Sequence, residues 1–170
     1  MKIVLETRRT LLRKITPDDV EDLLQIFSDP EAMRFYPTTK TRQETIEWIS
    51  RNLDRYRNKG FGMWIVLLKE TGSFAGTCGL VTQLVDGKEE VEIGYLILRK
   101  YWGRGLATEA AAACRDYGFR IGITRLISLI DPDNLASRKV AENNGLRLEN
   151  YVYLWDRQLC LYCTPASKNS

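Results

Sequence analysis

The sequence predicts an α/β domain in which helices cover both faces of a mixed sheet. Segments whose apolar residues alternate, as is typical of strands, are interspersed with segments whose apolar residues recur every three or four positions, as is typical of helices. Capping and stop residues mark several of the boundaries between them. The resulting order of elements is βααβββαβαββ, and 170 residues suffice for one domain with a sizeable core.

Individual residues explain where these elements begin and end. Thr16 can cap the first helix, and Pro17 suits its first helical position. Gly60 stops the second helix, and Asn134 stands at the start of the last one. In chain order we predict a strand over 4–14, helices over 16–28 and 42–59, strands over 61–69, 74–84 and 91–98, a helix from 105, a strand over 125–130, a helix over 135–143, and strands over 147–155 and 157–164.

Composition and charge exclude several classes of protein. The 25 basic and 22 acidic residues give a net charge of +3 and are spread along the chain, so no nucleic-acid partner is expected. The N-terminal apolar run is too short for a signal peptide, and no segment could span a bilayer. We expect a cytoplasmic protein, monomeric or homodimeric, with no membrane partner. Residues 1–164 are predicted to form a single domain and residues 165–170 a frayed tail.

The chemistry available to this chain is limited because it contains no histidine. Ser-His-Asp and Cys-His catalysis and histidine-ligated metals are therefore excluded. Cys160 and Cys163 form one Cys-x-x-Cys, but on a strand these two positions point to opposite faces. No metal site is expected. Acid–base chemistry is left to carboxylates, tyrosines, hydroxyls, lysines, thiols or water.

The segment 91–120 contains the clearest functional pattern, a strand joined to a helix by Gly103-Arg104-Gly105. In such a loop, successive backbone N–H groups can converge on an anion at the positive end of the helix dipole. Glycine leaves the approach open because it has no side chain. The pattern indicates an anion cradle for a phosphate or pyrophosphate. A plain strand-to-helix turn that needs positive φ is the alternative.

Two common nucleotide-binding motifs are excluded at this loop. A Walker loop requires Gly-Lys-Ser/Thr, but Leu106 and Ala107 follow Gly105. A dinucleotide fingerprint requires a third glycine at the position of Thr108.

The segment instead resembles the pyrophosphate-binding motif of the GNAT superfamily of N-acetyltransferases, Gln/Arg-x-x-Gly-x-Gly/Ala. Here the motif runs from Lys100 to Gly105, with lysine in its first position. The neighbouring Glu-Ile-Gly-Tyr, Tyr-Trp-Gly-Arg-Gly, Ala-Thr-Glu-Ala, Asn-x-x-Ser and Asn-Gly-Leu are similar to the RimJ/RimL branch, which acetylates protein N-termini and related amines. The resemblance covers nearly the whole chain. It implies a mixed, mostly antiparallel sheet with a splayed central pair of strands.

The resemblance also implies acetyl-CoA as cosubstrate, with its pyrophosphate in the loop. Leu96 and Leu98 would offer backbone groups to the pantetheine amides, as an added strand does. Gly94 predicts a bulge that splays this strand from the next, and close packing against an aromatic neighbour is the alternative. The cofactor-binding candidates are Leu96, Leu98, Trp102, Gly103, Arg104, Gly105, Leu106, Ala107, Thr108, Asn134 and Ser137.

Acetyl transfer to an amine requires a base and a group that stabilises the departing thiolate. Glu92 is the candidate base, acting through water, and an exposed strand position is the alternative reading. From the residues alone, Asn134 and Ser137 are ordinary helix caps. The resemblance instead implies that Asn134 contacts pantetheine and that Ser137 gives the sulfur a proton or a hydrogen bond. The alternative donors are Tyr151, Tyr153 and Tyr162.

The resemblance predicts an N-acetyltransferase that acts by direct attack of a primary amine. A peptide or protein N-terminal amine is favoured because its pKa lies nearer neutrality than that of lysine. A polyamine, aminoglycoside or amino acid is the alternative acceptor, and acids at 86, 89 and 90 could then form its pocket. A non-catalytic acyl-CoA-binding module and a phosphate-binding interaction domain also stay open. The acceptor site is expected at the loop 31–40, the start of the second helix and the strands that flank the sheet opening. Phe35 and Tyr36 are its candidate walls, and a place in the core is the alternative for both.

Overall fold

The computed structural model describes residues 1–166 and builds them from eight strands and four α-helices. The strands are β1 (Ile3–Glu6), β2 (Thr10–Lys14), β3 (Met63–Leu68), β4 (Phe74–Val85), β5 (Lys88–Ile97), β6 (Ile127–Ile130), β7 (Arg147–Leu154) and β8 (Arg157–Cys163). The helices are α1 (Val20–Phe27), α2 (Arg42–Lys59), α3 (Leu106–Arg120) and α4 (Leu135–Asn143). None of these helices is both long and apolar enough to cross a membrane. The predicted frayed tail falls mostly on residues 167–170, outside the described part of the chain.

All eight strands join one sheet in the order β1-β2-β3-β4-β5-β6-β8-β7. Every neighbouring pair is antiparallel except β5–β6, which is parallel. The mixed, mostly antiparallel sheet is therefore confirmed. Strands β5 and β6 share a single registered pair, Glu92 with Ile127, at the first residue of β6, so their ladder does not continue along β6, as the splayed pair requires.

The predicted strand over 4–14 is wrong, because the chain forms a hairpin there. Thr7 and Thr10 close the turn between β1 and β2. The Thr7 N–H donates to the Thr10 carbonyl at 2.9 Å, and the Thr10 N–H donates to Thr7 Oγ1 at 2.9 Å. A threonine hydroxyl that bonds the nearby backbone competes with strand pairing, and apolar periodicity does not detect this competition. The observed order is therefore ββααβββαβαββ.

Helices cover both faces of the sheet, as predicted. Helices α3 and α4 pack on one face through residues such as Ala110 and Ala141, and α1 and α2 pack on the other through Leu23 and Ile49. The central strand β3 reads Met-Trp-Ile-Val-Leu-Leu because both of its faces are buried. Through β4, this buried strand supports β5, which borders the opening between β5 and β6.

Candidate active site

Side chains hold open the gap between β5 and β6. The Ser128 hydroxyl donates to the Ile93 carbonyl at 3.0 Å, and the Leu129 N–H donates to Glu92 Oε2 at 2.9 Å. These bonds satisfy backbone groups that a continuing ladder would otherwise pair. The gap forms a pocket of about 70 Å³, lined among others by Tyr36, Glu92, Tyr95, Asp131, Ser137 and Arg157.

The predicted bulge at Gly94 is wrong. The register of β4 with β5 runs without interruption through the pairs Gly79–Gly94 and Thr77–Leu96. A Cβ atom at Gly94 would lie 3.2 Å from the Sδ atom of Met63. The glycine therefore serves close packing, as the alternative proposed, although its neighbour is a methionine and not an aromatic residue. The splay arises because β5 and β6 lose their register, not from a bulge.

The predicted pairing of the Leu96 and Leu98 backbone groups with pantetheine is wrong, because these groups do not face the opening. The Leu98 N–H donates to the Ala75 carbonyl at 2.8 Å, so the backbone groups of Leu98 face β4. Because these groups change sides at each residue of an antiparallel strand, those of Leu96 also face β4. Tyr95 and Ile97 therefore turn their backbone groups to the open side. The Ile97 carbonyl on that side accepts from Trp102 Nε1 at 2.7 Å.

The loop before α3 has the backbone geometry of an anion cradle. Gly103 and Gly105 have φ values of +75° and +77°, a conformation that favours glycine. Within residues 1–166, no N–H group from 103 to 108 donates a hydrogen bond of normal geometry. Such a run of free donors at a helix N-terminus is suited to a diphosphate. It spans the six predicted contacts from Gly103 to Thr108, and Trp102 precedes it; the side chains of Trp102 and of Arg104 within the run are exposed.

Lys100 lies before the loop, not in it. It belongs to a 3₁₀ turn at Arg99–Tyr101, and its ammonium group stacks over the Tyr101 ring at 5.1 Å. The free donors extend to residue 108, which also suits an alignment two residues later, Trp102-Gly103-Arg104-Gly105-Leu106-Ala107, with tryptophan in place of the first Gln or Arg. In this second alignment Lys100 lies outside the motif.

Glu92 is a partly buried carboxyl group in the pocket, not the exposed strand residue of the alternative interpretation. Its Oε1 atom accepts from Gln83 Nε2 at 3.0 Å and its Oε2 atom from the Leu129 N–H. Burial raises the pKa of Glu92 to about 7, against the lowering effect of the two hydrogen bonds. A carboxylate with a pKa near 7 is matched to general-base work at neutral pH.

Asn134 and Ser137 play different parts at the start of α4: Asn134 caps the helix, and Ser137 has a free hydroxyl. Asn134 Oδ1 accepts from the Ser137 N–H at 3.2 Å, so Asn134 caps α4 as the residue pattern alone suggested. Both residues also line the pocket. The Ser137 hydroxyl makes no hydrogen bond within the described chain, and so it is available to a ligand. Tyr95, which the sequence analysis did not select, donates its hydroxyl to the Ser137 carbonyl at 2.7 Å.

The three alternative tyrosine donors lie away from the pocket. Tyr151 and Tyr153 are 50% and 70% exposed on the edge strand β7. The Tyr162 hydroxyl accepts from Arg138 Nε at 2.9 Å and donates to Glu142 Oε1 at 3.2 Å. Tyr95 is therefore the tyrosine nearest to Ser137. Its place three residues after Glu92 on one strand was visible in the sequence, but its contact with α4 was not.

The acceptor side of the pocket contains the predicted walls, Phe35 and Tyr36. Arg157 holds this segment in place, since its Nη1 donates to the Phe35 carbonyl at 2.8 Å and its Nη2 pairs with Asp131. No sequence signal indicated this contact, because Arg157 and Phe35 are 122 positions apart. The preceding turn is tight, with φ values of +52° at Trp155 and +58° at the next residue.

The acids proposed for a polyamine pocket lie elsewhere. Glu89 pairs with Lys59 at 3.1 Å, and Glu90 pairs with Arg125 at 3.1 Å. None of residues 86, 89 and 90 lines the pocket that contains Glu92. The acidic groups at that pocket are Glu92 itself and Asp131, which Arg157 neutralises.

Comparisons with known proteins agree with this geometry. Residues 9–147 match the family described as the acetyltransferase (GNAT) domain. The chain is 37% identical to the uncharacterised protein YkkB of Bacillus subtilis over 95% of both chains. The structure is similar to an acetyltransferase from Agrobacterium tumefaciens, with a TM-score of 0.84, 27% identity and coverage of 97% and 95%. It shares its fold with a RimL ribosomal L7/L12 alpha-N-protein acetyltransferase in complex with coenzyme A, with a TM-score of 0.79, 19% identity and coverage of 95% and 97%. Since the family match covers far more than half of the sequence, the protein belongs to the GNAT family and is an acetyl-CoA-dependent acetyltransferase.

Proposed function

We propose that this enzyme acetylates the N-terminal amine of a peptide or protein by direct transfer from acetyl-CoA. The observation that carries the proposal is the meeting of Glu92 and Ser137 at one opening in the sheet. Side chains alternate along β5, so Glu92 shares the α1/α2 face with Leu96, whereas Ser137 belongs to α4 on the opposite face. An amine and a thioester could therefore approach each other from opposite sides.

In the proposed reaction the amine nitrogen forms a bond to the thioester carbonyl carbon, and the carbon–sulfur bond breaks. The proton lost by the amine passes through a water molecule to the Glu92 carboxylate. The departing thiolate receives a hydrogen bond from the Ser137 hydroxyl; if the hydroxyl passes its proton to the sulfur, it recovers a proton from solvent water. The free N–H groups of residues 103–108 hold the diphosphate, so that binding energy positions the thioester for attack.

Charge and pKa together favour an α-amino group as acceptor. Its pKa of about 7.7–8.0 leaves it partly neutral near pH 7, whereas a lysine amine has a pKa of about 10.4. Glu92, with a pKa of about 7, is better matched to the less basic of these two amines, the α-amino group. A polycation would be held best by several free carboxylates, but Asp131 is paired with Arg157 and residues 89 and 90 lie outside the pocket. The RimL protein that shares the fold is named for alpha-N-protein acetylation, which supports the same class of acceptor.

A competition assay tests the acceptor. We expect peptides with free N-termini to be acetylated with a kcat/KM at least about tenfold above that of N-blocked lysine peptides, spermidine and aminoglycosides, because a more basic amine must first be deprotonated. Thiol release from acetyl-CoA gives the rates, and mass spectrometry locates the acetyl group. A preference for spermidine or an aminoglycoside would overturn the acceptor proposal.

Replacing Ser137 with alanine tests the thiolate donor. We expect kcat to fall roughly tenfold while the KM for acetyl-CoA stays within about twofold, because the hydroxyl acts on charge that develops as the thiolate leaves. The unfolding midpoint should not change, since this hydroxyl has no partner among residues 1–166. Ser137→Thr, which retains a hydroxyl, is the matched control and should recover part of the rate. An unchanged kcat in Ser137→Ala would transfer the role to Tyr95.

A further inference from the structure

The turn between β1 and β2 is attached to the first turn of α3 through Glu109. Thr7 Oγ1 donates to Glu109 Oε1 at 2.8 Å, although the two residues are 102 positions apart. The Arg9 backbone N–H donates to the same oxygen at 2.7 Å, and Arg9 Nε donates to Oε2 at 2.7 Å. Both carboxylate oxygens are thus bound by the N-terminal hairpin, which is not otherwise part of the proposed site.

Arg9 also reaches into the glycine loop. Its Nη1 donates to the Arg104 carbonyl at 2.9 Å, and its Nη2 lies 3.5 Å from the position of a Cβ atom at Gly105. The Arg104 carbonyl and the Gly105 N–H belong to one planar trans peptide, so they point in opposite directions. By holding this carbonyl, Arg9 turns the Gly105 N–H away from the hairpin and toward the open side of the loop.

Arg9 has an electrostatic effect as well. Glu109 lies in the first turn of α3, where an anion is also to bind. Partial burial works to raise the pKa of Glu109, but hydrogen bonds from Arg9 and Thr7 lower it overall, so this carboxylate stays ionised at neutral pH. Without Arg9, an unpaired negative charge would stand beside a diphosphate and repel it.

We infer that Arg9 is a positioning residue for the diphosphate of acetyl-CoA, acting through the Arg104–Gly105 peptide and by neutralising Glu109. The inference rests on the proposed binding of the diphosphate at residues 103–108. It assigns a cofactor-related role to the N-terminal hairpin, which had been predicted only as a strand.

The test compares two acyl donors in the full-length enzyme. For Arg9→Ala we expect the KM for acetyl-CoA to rise roughly tenfold, which corresponds to the loss of one charge-assisted contact. The KM for S-acetylpantetheine, which has no diphosphate, and kcat with either donor should stay within about twofold. Arg8→Ala is the matched control, because Arg8 is also exposed and makes no side-chain hydrogen bond or ion pair within residues 1–166. It should leave both KM values unchanged.

Two further variants keep the test decisive. Arg9→Lys retains the charge but not the forked geometry, so its KM for acetyl-CoA should lie between those of the wild type and Arg9→Ala. Adding Glu109→Gln to Arg9→Ala removes the unpaired carboxylate and should recover part of the loss. An equal rise in KM for acetyl-CoA and S-acetylpantetheine would show that Arg9 has only a structural role. If Gly103→Val weakens acetyl-CoA binding and Arg9→Ala does not, the role of Arg9 is refuted while the loop assignment stands.

Discussion

Replacing Glu92 with glutamine is expected to lower kcat/KM for the amine about 100-fold, the usual contribution of a general base. The wild-type pKa of about 7 also predicts a pH profile. Because the carboxyl group accepts a proton only when ionised, kcat/KM should rise as the pH increases through about 7, and the variant should lose this limb. The amine has its own limb, so the profile should be measured with two acceptors of different pKa. The part of the kcat/KM profile that reports ionisation of Glu92 should keep its midpoint near pH 7. The part that reports deprotonation of the amine should shift with the pKa of the acceptor.

Glu90→Gln is the matched control for this experiment. It makes the same substitution on the same face of β5, but Glu90 pairs with Arg125 outside the pocket. A similar loss of rate in both variants, or an unchanged acidic limb in Glu92→Gln, would show that Glu92 is not the base.

Stability supplies a second control. The folded-state pKa of Glu92 is about 7 and lies above its ordinary value of 4.5, so ionising this group destabilises the fold. The penalty is fully present above pH 7 and disappears as the pH falls toward 4.5. Glu92→Gln should therefore raise the unfolding midpoint at pH 8 and change it little near pH 4. If the variant is inactive at pH 8 yet more stable than the wild type, its loss of activity comes from the missing carboxylate and not from unfolding.

Periodicity and caps predicted most of the fold because the main elements each bury one face or both. Every predicted element from 42 to 164 has a counterpart in the structure, down to the short strand β6. The failures at the N-terminal strand and at Leu98 share a cause, which is hydrogen bonds that apolar patterns do not record. Thr7 closes a turn within an apparently continuous strand, and the Leu98 N–H faces β4 although its side chain follows the expected alternation.

The candidate site was predictable where one segment builds it and not where distant segments meet. Glu92, the glycine loop and Asn134-x-x-Ser137 could each be found from local sequence. Arg157 and Arg9 could not, because their partners Phe35 and Glu109 lie 122 and 100 positions away. Nor does a sequence show which of the eight tyrosines hydrogen-bonds to Ser137, since that depends on how α4 packs against β5.

Replacing Gly103 with valine is expected to weaken acetyl-CoA binding roughly 100-fold, or about 2.7 kcal/mol, without unfolding the protein. The fold should survive because a Cβ atom at Gly103 meets no protein atom within 4 Å. The internal penalty is then the strain of a side chain at φ +75°, on the order of 1–2 kcal/mol. Valine would instead fill the space in front of the free N–H groups and rotate the loop, so that the diphosphate could not reach its donors.

Gly122→Val is the matched control. Gly122 also has a positive φ, +98°, and open space at its Cβ position, but it follows the other end of α3. A helix of 15 residues separates the two sites by about 22 Å. Circular dichroism confirms folding, and calorimetric titration with acetyl-CoA measures affinity. Gly122→Val should bind as the wild type does. Unchanged affinity in a folded Gly103→Val variant would remove the diphosphate from this loop, and the free N–H groups would then serve only the start of α3.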